Sequence, residues 1–119
     1  MKNNFHNINI GKIGENVACE YLIENGYKII CRNYRNKFGE IDIIASYKNE
    51  IVFVEVKTRK SLKYGHPIEA VNTQKEKHII NACKLYVLKN HIKNIRFDII
   101  EVYLFDHEYK INQIKNVFF

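Results

Sequence analysis

The chain has one proline, Pro67, and three cysteines, Cys19, Cys31 and Cys83, in 119 residues. An odd cysteine number without a Cys-x-x-Cys pair argues against a disulfide scaffold or a zinc site and for a reducing cytosol. Each cysteine is expected to act as a small buried hydrophobe. No apolar run is long enough for a membrane span, and Met1–Asn9 lacks a signal-peptide core. That polar, Asn-rich stretch reads as a flexible N-terminal arm. No Gly/Ser linker, repeat or low-complexity block marks an internal boundary, so residues 10–119 are expected to form a single cytoplasmic domain. The histidines, His6, His66, His78, His91 and His107, have no metal-ligand spacing and read as surface or packing residues.

What is present is ordinary globular material: 46% hydrophobic and 27% charged residues, enough for a core without staples. The net charge of +6 is uneven. Between Lys57 and Arg96, ten Lys/Arg face two acids, Glu69 and Glu76, a charge of +8 that leaves −2 for the rest. Such a segment can attract phosphates by counterion release, or it can be a solvated helix face.

Ile10 to Asn25 reads as a helix, with Ile10, Ile13, Val17, Ala18 and Tyr21 on one face and Gly26 as its stop. Lys28–Tyr34 is strand-like and Asn36–Gly39 supplies turn chemistry. Glu40–Tyr47 is a second strand, Lys48–Glu50 a turn and Ile51–Thr58 a third strand. Ile51-Val52-Phe53-Val54 is apolar on both faces, as in a central strand covered on both sides. Arg59–Pro67 is a polar loop. Thr73-x-x-Glu76 is a capping box opening a helix to about Lys89, with Ile79, Ala82, Cys83, Tyr86 and Val87 inward. Ile95–Leu104 is a strand, and Lys110–Phe118 adds a last one. The order α-β-β-β-α-β-β implies an α/β fold, a mixed β-sheet flanked by helices.

Two of these strands carry acid where apolar residues surround it: Asp42 between Ile41 and Ile43, and Glu55 between Val54 and Val56. A buried carboxylate needs a partner or a metal. Alternation puts Glu55 with Lys57 on one face, and Glu40 with Asp42. If the two strands form a hairpin, these groups converge. Two carboxylates can hold a hard cation such as Mg²⁺, and a nearby lysine can orient a water or stabilise phosphoryl charge. The plainer reading makes Glu55–Lys57 a same-face ion pair and Asp42 a turn cap. The residues by themselves leave both readings open.

Gly11-Lys12-Ile13-Gly14-Glu15, Gly26-Tyr27, Asn33-Tyr34-Arg35, Gly39-Glu40-Ile41-Asp42, Phe53-Val54-Glu55-Val56-Lys57-Thr58-Arg59 and Arg96-Phe97-Asp98 together resemble the YraN-like family. That is a group of small bacterial proteins with a restriction-endonuclease-like fold, similar to archaeal Holliday-junction resolvases. The resemblance implies that Asp42 and Glu55 are metal ligands for Mg²⁺ or Mn²⁺, with Lys57 as the site lysine. It also matches Glu15 to a helix-one glutamate that joins the site, although a first-turn glutamate favoured by the helix dipole would look the same. Glu40 is either an extra ligand, a residue supporting the ligands from behind, or surface. Lys75 matches a family lysine and is a phosphate-contact candidate; Arg59 is another, because a guanidinium fits a phosphate bidentately. Asp98 is expected to serve as a structural partner for an arginine or a backbone N–H. The implied function is a metal-dependent nuclease on DNA, branched or flapped, with a homodimer as the expected assembly. The alternative is a catalytically silent nucleic-acid-binding module or an adaptor. The Pro-Asp form of the superfamily motif is absent, since Glu40-Ile41 precedes Asp42, which leaves the ligand geometry open.

Overall fold

The computed structural model describes residues 2–60, 73–105 and 107–118, with side chains from Ile10 onward and, after the 61–72 segment, from Gln74. The elements are α1 (Lys2–Glu24), β1 (Lys28–Asn36), β2 (Gly39–Tyr47), β3 (Glu50–Arg59), α2 (Thr73–Asn90), β4 (Ile95–Phe105) and β5 (Glu108–Ile114). This is the α-β-β-β-α-β-β order read from the sequence. The five strands form one sheet in the spatial order β1-β2-β3-β4-β5. All neighbours are antiparallel except β3 and β4, which run parallel. A parallel pair needs a crossover, and α2 lies on it.

Alternation along the central strands divides the core into two layers. Val52 and Val54 of β3, Ile43 and Ala45 of β2, and Ile100 and Val102 of β4 pack with Ala18, Cys19 and Leu22 of α1. Phe53, Ile44 and Phe97 pack on the other face with Ile79, Ala82 and Cys83 of α2. β3 is therefore covered on both sides, as its apolar run requires. Cys19 and Cys83 are buried, and burial pushes the Cys83 thiol up to about 12, so it stays a protonated hydrophobe.

Several element bounds, and the inward face of α1, differ from the sequence reading. α1 is bounded at Lys2, ahead of the periodic start at Ile10; the side chains of residues 1–9, where the arm was expected, lie outside the described residues. The buried stripe of α1 runs through Gly14, Ala18 and Leu22, and Ile13 is 42% exposed. Gly14 causes this rotation: a Cβ there would stand 1.9 Å from Thr58 Oγ1, so the helix turns its glycine onto β3. Arg59, expected in the loop, ends β3 and pairs with Tyr103 of β4. The last strand is β5, not the whole tail: beyond it Val117 N donates to Phe97 O at 2.7 Å and the Phe118 ring lies on Phe97. The Thr73 side chain of the capping box and the Ser61–Pro67 part of the loop, with His66, lie outside what the structure describes.

The helix stop at Gly26 is as expected. Its φ of 92° is the left-handed conformation that glycine tolerates, and Tyr27 N donates back to Leu22 O at 2.9 Å. Asp98 is completely buried. It accepts from Arg96 Nε at 2.9 Å, Gln113 Nε2 at 2.8 Å and the Asn116 N–H at 3.0 Å, tying β5 and the tail to β4. It is thus the structural partner anticipated, satisfied by both an arginine and a backbone N–H. Among the described residues no helix is long and apolar enough to cross a membrane.

Candidate functional site

The β2–β3 ladder runs regularly from Tyr47↔Glu50 to Ile43↔Val54 and ends there. At the next position Asp42 Oδ2 accepts the Val56 N–H at 2.8 Å, so a side chain takes the place of a backbone acceptor. Alternation fails at the same point. Ile43 belongs to the α1 layer, whereas both Ile41 and Ile44 belong to the α2 layer. Asp42 lies at this break and consequently borders two hollows.

One is a cleft of about 440 Å³ on the α2 side, lined by Glu40, Asp42, Glu55, Lys75, His78 and neighbouring apolar residues. The other, about 500 Å³, lies toward α1 and is lined by Gly11, Glu15, Asp42, Thr58 and Lys60, among others. The Gly14–Thr58 approach holds α1 against the end of β3 and so brings Glu15 to this second hollow. Asp42 and Val56, the partners of that hydrogen bond, are common to both.

The carboxylates around Asp42 each have a basic partner. Glu15 Oε1 meets Arg32 of β1 at 3.3 Å. Glu40 Oε1 meets Arg35 of β1 at 3.1 Å, a cross-strand pair in register. Glu55 Oε2 meets Lys75 of α2 at 3.6 Å. Among the described residues Asp42 has no such cation; its polar contact is the Val56 N–H. Its pKa shows the consequence. The carboxyl is raised to about 6: burial is the largest cause, the charges of Glu15, Glu55 and Glu40 add to it, and the Val56 hydrogen bond opposes them. A carboxyl that is half-buried, surrounded by acids and without a cation has a local excess of negative charge that a divalent ion would relieve.

Of the residues singled out from sequence, the fold brings Asp42, Glu55, Glu40 and Lys75 to one cleft, and Glu15 to the hollow across Asp42. Lys57 is not among the cleft-lining residues. It follows Glu55 on the α2-side face of β3, half-buried, in register with Glu101 of β4. Arg59 is farther along the same strand. Lys75 contacts a carboxylate rather than standing clear in solvent. Among the described residues, no three His, Cys, Asp or Glu side chains are already gathered closely enough to hold an ion. The donor chemistry nonetheless fits Mg²⁺ or Mn²⁺: two carboxylates, Asp42 and Glu55, border one cleft, and such ions complete their shells with water or substrate oxygens.

Sequence reasoning gave His78 only a surface or packing role, whereas it lines the cleft. The signal was its spacing: Lys75, His78, Ile79 and Ala82 recur along one helical face, so an inward Ile79 puts the other two at its rim. It also passed over the contact between Gly14 and Thr58, which joins residues far apart in the chain.

Fold and site together define a mixed α/β domain with a carboxylate-lined cleft where its central hairpin opens. The profile of the "Uncharacterised protein family UPF0102", the YraN-like group, matches residues 14–102, and the chain belongs to this family. It is similar to UPF0102 proteins of Clostridioides difficile strain 630, at 52% identity over 91% of this chain and 95% of that protein, and of Alkaliphilus oremlandii, at 50% over 94% and 99%. A UPF0102 protein of Caldanaerobacter subterraneus is 47% identical over 92% of this chain and 93% of its own length.

Proposed function

We propose that the protein is a Mg²⁺- or Mn²⁺-dependent nuclease of the restriction-endonuclease-like type, hydrolysing phosphodiester bonds in DNA. The observation that carries this reading is Asp42: a carboxyl with no cationic partner among the described residues, its pKa raised to about 6, facing the same cleft as Glu55. In this proposal Asp42 and Glu55 hold the ion. When bound, the ion polarises the scissile phosphate and supplies a hydroxide-like water. Glu15 supports Asp42 from the α1 side. Lys57 orients the water or neutralises phosphoryl charge, which requires its side chain to swing along β3 toward Glu55. Arg59 and Lys75 contact backbone phosphates. The resemblance to junction resolvases favours branched or flapped DNA, a homodimer and a cytoplasmic location.

The test is a panel of linear, single-stranded, flapped and four-way DNA with Mn²⁺, run beside Asp42→Asn and Glu55→Gln. Cleavage by the wild type and a loss of at least 100-fold in both variants is expected, since losing a charge-stabilising group costs about 10²–10³ in rate. Equal cleavage by the variants would assign the activity to a contaminant.

A second reading has its own support. The acids are not gathered as a ready three-residue metal group among the described residues, and Glu55 is engaged by Lys75. A binding module without catalysis would show salt-dependent DNA affinity and no cleavage on any substrate.

A further inference from the structure

The three acids that surround Asp42 are neutralised in two different ways. Glu15 and Glu40 are held by Arg32 and Arg35, both on β1. These guanidiniums rise from a strand fixed by its pairing with β2. Glu55 is held instead by a lysine that reaches across from α2, at the longest of the three distances, 3.6 Å. The Lys75 side chain is 65% exposed, comparable to Arg35 at 75%, but its partner Glu55 is only 16% exposed where Glu40 is 39%. A flexible stem carrying a strongly hydrated ammonium makes a weak, exchangeable pair at an exposed position. The carboxylate it neutralises is also the one that shares the cleft with Asp42.

We infer that Lys75 is the stand-in for the cation: its ammonium neutralises Glu55 in the metal-free protein and is displaced when a divalent ion binds between Glu55 and Asp42. This rests on the metal reading above and adds a competition to it. The same positive charge cannot stay against Glu55 Oε2 once a divalent ion takes that oxygen, because the two cations repel at such short range. The displaced lysine remains at the cleft rim, where it can take a phosphate oxygen. Occupation by metal and engagement of phosphate are thereby linked through one side chain, and such linkage is reciprocal. The Arg32–Glu15 and Arg35–Glu40 pairs need not change.

The experiment is a calorimetric titration of Mn²⁺ into the full chain at pH 7.5, for wild type, Lys75→Met and Lys75→Arg. Methionine retains the stem and the helix propensity without the charge, and thermal melting confirms that each variant is folded. Lys75→Met is expected to bind Mn²⁺ about three- to tenfold more tightly than wild type, with Lys75→Arg close to wild type. Unchanged or weaker binding in Lys75→Met, with a wild type that binds, would overturn the exchange and leave the metal site intact. No Mn²⁺ binding to either protein would overturn both. Tighter binding in Lys75→Met without cleavage by any of the three proteins would support the exchange and remove the nuclease.

Discussion

Asp42 combines two demands that a residue chosen for stability would not. Its carboxyl is partly removed from water and placed among Glu15, Glu55 and Glu40, so ionisation is disfavoured in the folded state. A carboxyl whose folded pKa is raised stabilises the fold at low pH, below its unfolded pKa. That contribution is lost as pH rises through the folded value of about 6. At pH 7.5 the metal-free protein therefore bears a strained negative charge. Asp42→Asn removes the charge and retains an oxygen for the Val56 N–H. Urea unfolding in chelator is expected to show this variant more stable than wild type by about 2–3 kcal/mol at pH 7.5, with the gain vanishing near pH 4. A destabilised variant at pH 7.5 would mean that Asp42 is a structural anchor, like Asp98, and not a residue held against its preference.

At the scale of elements, the packing that places the site depends on one helical glycine. Gly14 and Gly11 are alike in sequence and opposite in surroundings. A Cβ at Gly11 meets nothing within 4 Å, whereas one at Gly14 meets Thr58 Oγ1 at 1.9 Å. Gly11→Ala should stabilise by about 0.5–1 kcal/mol through helix propensity. Gly14→Ala should destabilise by about 1–3 kcal/mol through overpacking, and Thr58→Ala should recover part of that loss in a double-mutant cycle measured by thermal or urea unfolding. Equal effects of the two alanines would show that α1 does not rest on Thr58. The pair also shows what a sequence can and cannot reveal. The unbroken apolar run Ile51-Val52-Phe53-Val54 announced a strand covered on both faces, and Asp42 and Glu55 stood out because apolar residues flank them. Helical periodicity put Ile13 inward and gave no weight to Leu22, because the rotation of α1 is decided by a contact with a residue 44 positions away. The Lys75–Glu55 pair was hidden for the same reason: it exists only once the crossover lays α2 over β2, within reach of Glu55. The opening of the β2–β3 ladder, where Asp42 replaces a backbone acceptor, leaves no mark in residue type at all.

For the molecule as a whole, a net charge of +6 surrounds a local acidic centre, and if that centre binds metal as proposed, stability should respond to divalent ions. Any ligand that binds only the folded state stabilises it in proportion to RT ln(1 + [L]/Kd), about 2.7 kcal/mol at a hundredfold excess over Kd. For a domain of 119 residues that corresponds to a melting-temperature rise of about 10 °C. Mn²⁺ at saturating concentration should therefore raise the melting temperature at pH 7.5 relative to chelator. The ion must compete with the proton on Asp42, so the rise should shrink as pH falls through about 6. The two pH effects have opposite signs: lowering pH relieves the metal-free fold and weakens the metal-bound one, so the two melting curves should converge in mild acid. In Asp42→Asn and Glu55→Gln the Mn²⁺-dependent rise should be nearly absent at every pH. A shift of the same size in wild type and both variants would locate the ion elsewhere on the surface and detach the carboxylate cleft from metal binding.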